Sequence, residues 1–262
     1  MKMLRTWFMP NRVLGSASNR IMLSVQVVVF LLIWQGADFP LLPTPTEIIA
    51  AWWKLVNDGL VFELASSLTL CFEATAITLV VSLILVYAGV MPFFKPWTTL
   101  FSKLRFNGLV GLTLFFTILT SGTHELKLAL LSFSMTVWFV TMMAEEVRNI
   151  PREEYEHART LGMKEWRVVW EVVIMGRLDR VAEVLRQNTA ISWLMLTTVE
   201  GLVRTEGGVG AMLLVQSKYL HVSEVLAIQF TILFVGMSLD WTYGLGRRLF
   251  FPYAFFNESN GR

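Results

Sequence analysis

Apolar residues in this chain come in blocks long enough to cross a lipid bilayer, with polar residues gathered in the gaps between them. Six blocks can be drawn, over 21–37, 64–91, 106–122, 127–144, 187–203 and 224–246. A helix rises about 1.5 Å per residue, so about 20 residues cross a hydrocarbon core of about 30 Å. The third and fifth blocks are at the short end of that range. The pattern predicts an all-α, polytopic membrane protein of about six transmembrane helices. A single membrane domain over 21–250 is expected, with tails at 1–20 and 251–262. The first block follows a basic lead and no small-residue cleavage pattern, so it is expected to stay as an anchor.

Two of the gaps carry patterns of their own. Leu42-Pro43-Thr44-Pro45 fixes two φ angles. Thr46 is then expected to cap a short amphipathic helix with Ile48, Ile49, Trp52, Trp53 and Val56 on its apolar side, lying in the outer interface. The longer gap, 145–186, reads as two short helices. Pro151 suits a first helical turn, and Glu153 and Glu154 follow where the helix dipole favours negative charge. Tyr155, Ala158 and Leu161 form a narrow apolar stripe, and Gly162 stands where a helix-ending glycine belongs. Trp166, Val169, Trp170 and Val173 then repeat at helical spacing. On these physics alone two readings stay open: a helix pair lying on the membrane surface, or a docking surface for a soluble partner.

Composition strengthens the membrane reading. Hydrophobic residues make up 55% of the 262 and charged residues only 16%, against about 25% in soluble domains. The net charge of +2 says little, but its placement says more. With the N-terminus inside, 18 of the 22 Lys and Arg residues fall on the cytoplasmic side, eight of them in the 145–186 loop. Only Lys54, Lys127, Arg204 and Lys218 fall outside. The positive-inside rule therefore predicts both termini and the loop in the cytoplasm. Trp34, Trp97 and Trp241 near block ends are expected as interfacial anchors, and Trp193 as something else.

Chemistry-bearing residues are few. The one cysteine, Cys71, excludes an internal disulfide and reads as a buried thiol. His124, His157 and His221 lack metal-ligand spacing; His124 and His221 are expected in outer loops. No nucleophile–base arrangement stands out. The fifth block is unusually polar. Asn188 and Ser192 are expected on a solute path or in helix–helix hydrogen bonds, Arg186 at the interface, and Glu200 near the outer end, in water or against an outer partner. Glu73 lies about a third of the way into the second block, where a carboxylate costs about 2.5–3.5 kcal/mol unless paired, neutral or wet. A structural pair is favoured there, with a solute ligand as the alternative. Asp240 is expected to pair with Arg247 or Arg248.

Glu156-x-Ala158-x-x-x-Gly162 resembles the EAA loop of ABC importer permeases. Ala158-Arg159-Thr160-Leu161-Gly162, with Trp166 four residues on, is similar to the nitrate/sulfonate/taurine/bicarbonate branch. Leu42-Pro43-Thr44-Pro45, Leu185-Arg186, Ser192-Trp193, Glu200 and Gly208-Val209-Gly210 match further segments of that branch in order, over about residues 20–250. The chain departs from it at Met175 and Asp179, where prolines are usual, at Leu104-Arg105-Phe106-Asn107-Gly108, where a proline-rich segment is usual, and at Glu73, where glycines are usual. Without a proline, the helix after Val173 is expected to run straighter.

The resemblance implies a bacterial inner-membrane permease subunit rather than an enzyme. It implies a second permease copy, two ATP-binding subunits that carry ATP and Mg²⁺, and an extracytoplasmic solute-binding protein; nucleic acid is not an implied partner. No Gly-x-x-x-x-Gly-Lys-[Ser/Thr] motif occurs in this chain. Glu153, Glu154, Glu156, Ala158, Arg159, Leu161, Gly162 and Trp166 would couple to the ATPase, with Leu161 and Ala158 as apolar contacts and Glu156 and Arg159 as orienting charges. Asn188, Ser192, Trp193, Glu200 and Glu73 are the candidate solute-path residues. The implied solute is a small anion, a sulfonate or a related small organic molecule. A non-transporting membrane scaffold that binds a cytosolic partner is the competing reading.

Overall fold

Eleven α-helices and short stretches of tighter and wider winding make up residues 15–36 and 42–252, the part of the chain that this computed structural model describes. The residues at 1–14, 37–41 and 253–262, and with them most of both expected tails, lie outside the described residues. The helices are α1 (Ser16–Gly36), α2 (Pro45–Asn57), α3 (Leu60–Ala88), α4 (Lys95–Lys103), α5 (Leu109–Leu119), α6 (Thr123–Arg148), α7 (Arg152–Thr160), α8 (Glu165–Val168), α9 (Leu178–Leu202), α10 (Val209–Lys218) and α11 (Val222–Phe250). Among the described residues four helices are long and apolar enough to cross a membrane: α1, α3, α6 and α11. Helix α9 is 25 residues long, and its polar side chains keep it out of that set.

Helix α6 is the axis of the bundle. Its buried side chains point to all sides, because α3, α9 and the α4–α5 segment surround it. Helices α3 and α6 run in the same direction: Glu73 meets His124, Thr78 bonds the Ser132 carbonyl, and Val86 packs with Phe139 and Val140. Helix α9 runs against α6, with Val199 and Val203 on Leu126 and Leu130 at one end and Val181 and Val184 on Phe139 and Met143 at the other. Helix α11 runs against α9. Trp193 Nε1 donates to the Ile232 carbonyl at 2.8 Å, and Arg186 reaches Asp240 at 2.6 Å. The bundle therefore has a loop end, with residues 149–177, and a turn end, with the α9–α10 connection.

Because α3 and α6 are parallel, the chain must return the length of the bundle between residues 89 and 122. The block at 106–122 predicts one spanning helix there, but α5 covers only 11 residues, about 16 Å. The return is made in pieces. Phe101 of α4 packs in the loop-end cluster, a 3₁₀ turn follows at Leu104–Phe106, and Leu109, Leu112 and Phe116 of α5 pack at the turn end. Extended backbone at Asn107 and Gly108 separates the pieces, and extended Thr120 ends α5.

Three local expectations change. Thr44, not Thr46, caps α2: its hydroxyl accepts from Glu47 N while the Glu47 carboxylate accepts from Thr44 N, with Pro45 in the first turn. The charged loop is shorter than 145–186, since 145–148 complete α6 and α9 starts at Leu178. The helix around Val173 changes its winding. Its backbone winds as a π-helix over Val169–Ile174 and as a 3₁₀-helix over Met175–Arg177. Gly176 explains how this happens without proline: a Cβ there would stand 3.1 Å from the Glu171 carbonyl oxygen, five residues back, so the missing side chain admits the wide turn.

Candidate functional site

The loop end carries a built, protruding element. Helix α7 stops at a Schellman motif: Met163 N donates to the Ala158 carbonyl and Gly162 N to that of Arg159. Gly162 takes φ +77°, a backbone that a residue with a Cβ adopts at a cost of about 1–2 kcal/mol. Arg159 then bridges the corner, donating through Nε and Nη2 to both Glu165 oxygens at 2.9 and 3.0 Å. Arg177 Nη2 reaches back to Glu154 at 2.7 Å and ties the far end of the loop to the first turn of α7. Glu153 and Glu156 stay exposed.

The apolar stripes divide. Ala158 is only 5% exposed and Val168 and Val173 are buried, and α7 packs on α8 and on the stretch at Val169–Ile174, so these residues hold the loop's own helices together. Ala158 lies on the inner side of α7, where a small side chain lets α7 lie close to the other helices of the loop. Leu161 is 64% exposed, Trp166 72% and Trp170 51%. Tryptophans one helical turn apart at 166 and 170, and Leu161 at the end of α7, are thus large apolar side chains left exposed around a braced corner.

Hydrogen bonding from Arg159 holds the Glu165 carboxylate below its ordinary value. A depressed acid contributes above its unfolded value and loses that contribution as pH falls through its folded value. The Arg159–Glu165 coupling, read by a double-mutant cycle on partner binding, should therefore be the same at about pH 6 and about pH 8. It should be small, because both groups are exposed.

The turn end is a knot of buried polar groups. Glu200, 1% exposed, accepts from Ser67 Oγ at 2.6 Å and from Gly210 N at 2.8 Å. Ser67 accepts in turn from Val209 N at 3.0 Å, Gly208 N donates to Glu63, and buried Lys127 donates to the Gly207 carbonyl at 2.9 Å. Gly207 and Gly208 both have positive φ, and a Cβ at Gly208 would overlap the Glu200 carboxylate. Thus α3, α6, α9 and the start of α10 are joined through one turn. Glu200 faces neither water nor an outer partner, because the turn folds over it.

Of the other candidates, Glu73 pairs with His124 at 3.0 Å, as a structural pair, with both side chains about half exposed. His124 stands in the first turn of α6 rather than in a loop, and His221 is the residue before α11. Trp193 is buried as a tie between α9 and α11. Asp240 pairs with Arg186, while Arg247 reaches Glu183 at 2.9 Å, so the expected Asp240 partner is replaced by one from the neighbouring helix. Cys71 is a buried free thiol.

Asn188 and Ser192 are wholly buried. Ser192 donates to the Thr189 carbonyl, but neither amide atom of Asn188 has a hydrogen-bond partner among the described residues. An unpaired buried amide costs about 1–3 kcal/mol. Asn188→Leu should therefore leave thermal stability unchanged or raise it, and a simultaneous loss of solute uptake would mark the amide as a path group rather than a packing element.

The chain matches the family model described as "Binding-protein-dependent transport system inner membrane component" over residues 21–249. Seven solved chains match its fold. One of them, described as the crystal structure of an amino acid ABC transporter with histidines, is 15% identical, covers 75% of this chain and 97% of its own, and superposes with a TM-score of 0.62. No curated protein matches the chain. The match over nearly the whole described bundle places this chain in the binding-protein-dependent transport system inner membrane component family, the membrane permease components of ABC importers.

Proposed function

We propose that this chain is one of two permease subunits in an ATP-driven importer of the nitrate/sulfonate/taurine/bicarbonate branch, with its loop end and both termini in the cytoplasm. Two ATP-binding subunits grip the α7–α8 corners, and a solute-binding protein delivers a small anion, sulfonate or related small organic solute at the turn end. The observation that carries this reading is the braced corner, which holds Leu161, Trp166 and Trp170 in the open. ATP binding closes the motor pair and draws the two corners together, and the helices above them exchange between inward- and outward-facing arrangements. ATP biases that exchange only through its different affinity for the two states. Glu153, Glu154 and Glu156 set the approach of the motor, and Arg159 holds the corner's shape. Asn188 and Ser192 reach the solute when α9 parts from α3.

Gly162→Leu tests the reading. Its side chain would have open space around it in the free chain, so the cost falls on the φ +77° backbone and on the seated partner. Capture of the ATP-binding subunits should weaken about tenfold, with insertion of the chain unchanged. Normal capture and normal uptake would refute the assignment. Capture without binding-protein-stimulated ATP turnover in the native complex would favour the scaffold reading.

A further inference from the structure

No acidic residue occurs from 74 to 124, and the only basic ones there, Lys95, Lys103 and Arg105, fall within 11 residues of each other. All three are exposed, and none has an ion pair among the described residues. Arg105 lies over the Phe106 ring at 5.0 Å, which leaves its charge unneutralised.

Helix α4 sorts its side chains onto three faces. The first meets the bundle. Thr98 is buried where a Cβ at Gly89 would overlap it, and Phe101 packs in the cluster that holds Val86. The second is apolar and open: Trp97 and Leu100, three residues apart, are both more than half exposed. The third is polar and open: Lys95, Thr99 and Lys103 recur every four residues. At 3.6 residues per turn these faces stand about 120° apart. A helix between a protein and water needs only two faces. An exposed apolar face beside a basic one belongs to a helix at a bilayer surface, where lysine stems lie along the apolar layer and their charges reach the headgroups.

The fold puts α4 at that level. Helix α3 has 29 residues, about 43 Å, against about 30 Å for hydrocarbon and about 40–45 Å with the headgroups. Its contacts at Gly89 and Val86 seat α4 beside the last turns of α3. Charge then selects the occupant. A zwitterionic headgroup offers a cation along with its phosphate, whereas an anionic one complements three unpaired cations. A second copy of the chain is a poor match, because a two-fold contact of this face with itself opposes cation to cation.

We propose that α4 and the 3₁₀ turn after it bind anionic phospholipid in the leaflet at the loop end, with Trp97 and Leu100 against the acyl chains and Lys95, Lys103 and Arg105 on the phosphates. The inference rests on the membrane-spanning reading of α3 and α6 and on no role in transport.

Photo-crosslinking of the full chain in phosphatidylcholine nanodiscs tests it, with a small share of phosphatidylglycerol or phosphatidylcholine carrying a photo-reactive acyl chain. Peptides covering 95–106 should be labelled by the phosphatidylglycerol probe at least about tenfold more than by the phosphatidylcholine probe, since each basic residue near an anionic surface is worth about fivefold. Lys95→Gln/Lys103→Gln/Arg105→Gln should bring the two probes level while melting at the native temperature, because all three side chains are exposed. Lys95→Arg/Lys103→Arg should keep the preference, and about 1 M salt should reduce it. Trp97→Ala should lower labelling by both probes alike. The proposal is overturned if the native chain takes both probes equally, if the triple glutamine variant keeps the preference, or if 95–106 crosslinks to a second copy or another protein in place of lipid. Loss of uptake with the lipid preference intact would bear on the proposed function and leave this assignment standing.

Discussion

Glu200→Ala should cost the bundle about 2–6 kcal/mol, because two buried donors lose their acceptor at about 1–3 kcal/mol each. The carboxylate is the common acceptor for Ser67 and Gly210, and those donors belong to α3 and α10 while the acceptor belongs to α9. Without it two buried donors are orphaned, and Gly208 no longer has a carboxylate packed against its Cα. The apparent melting temperature of the purified chain should fall by about 10 °C. Glu200→Gln keeps the shape and one acceptor oxygen, but its NH₂ group opposes one of the two donors, so the loss should be intermediate. Ser67→Ala removes a single hydroxyl that both donates and accepts and should cost about 1–3 kcal/mol. A melting temperature unchanged in Glu200→Ala would show that the carboxylate does not hold the turn.

Trp166→Ala should act in the opposite way, with a large effect on assembly and little on stability. The side chain is 72% exposed and contributes little to the chain's own packing. Aromatic anchors at the centre of an interface carry about 2 kcal/mol or more each, so binding of the ATP-binding subunits should weaken at least about thirtyfold. Trp170→Ala, starting from a half-exposed position, should lose less. Pull-down of the ATP-binding subunit at fixed permease concentration reads both. Equal binding by the native chain and Trp166→Ala would assign the two tryptophans to the membrane surface instead.

Local signals were legible in the sequence, and long-range ones were not. Gly162 announces the end of α7 because a Schellman motif depends on one residue with positive φ. The apolar stripe around Ala158 was visible, but the spacing of small apolar residues does not tell whether the stripe meets its own bundle or another protein. Glu200 misled because a carboxylate at the end of an apolar run reads as solvated; its partner Ser67 lies 133 residues earlier. The Glu200 and Gly208-Val209-Gly210 segments both stand out in the sequence, and nothing in their spacing states that one closes over the other. The broken return through α4 and α5 was hidden because hydropathy runs on past Asn107 and Gly108. Between α8 and α9 no proline marks the change of winding, and Gly176 carries it instead through its lack of a Cβ.

The central claim is that the α7–α8 corner faces the cytoplasm and receives a motor. A photo-reactive amino acid at position 166, in the complex assembled in native membranes, tests this most directly. The account expects a crosslink to the ATP-binding subunit whose yield changes when ATP is added. A crosslink confined to lipid, or labelling of position 166 by a membrane-impermeant reagent applied from outside intact cells, would contradict it.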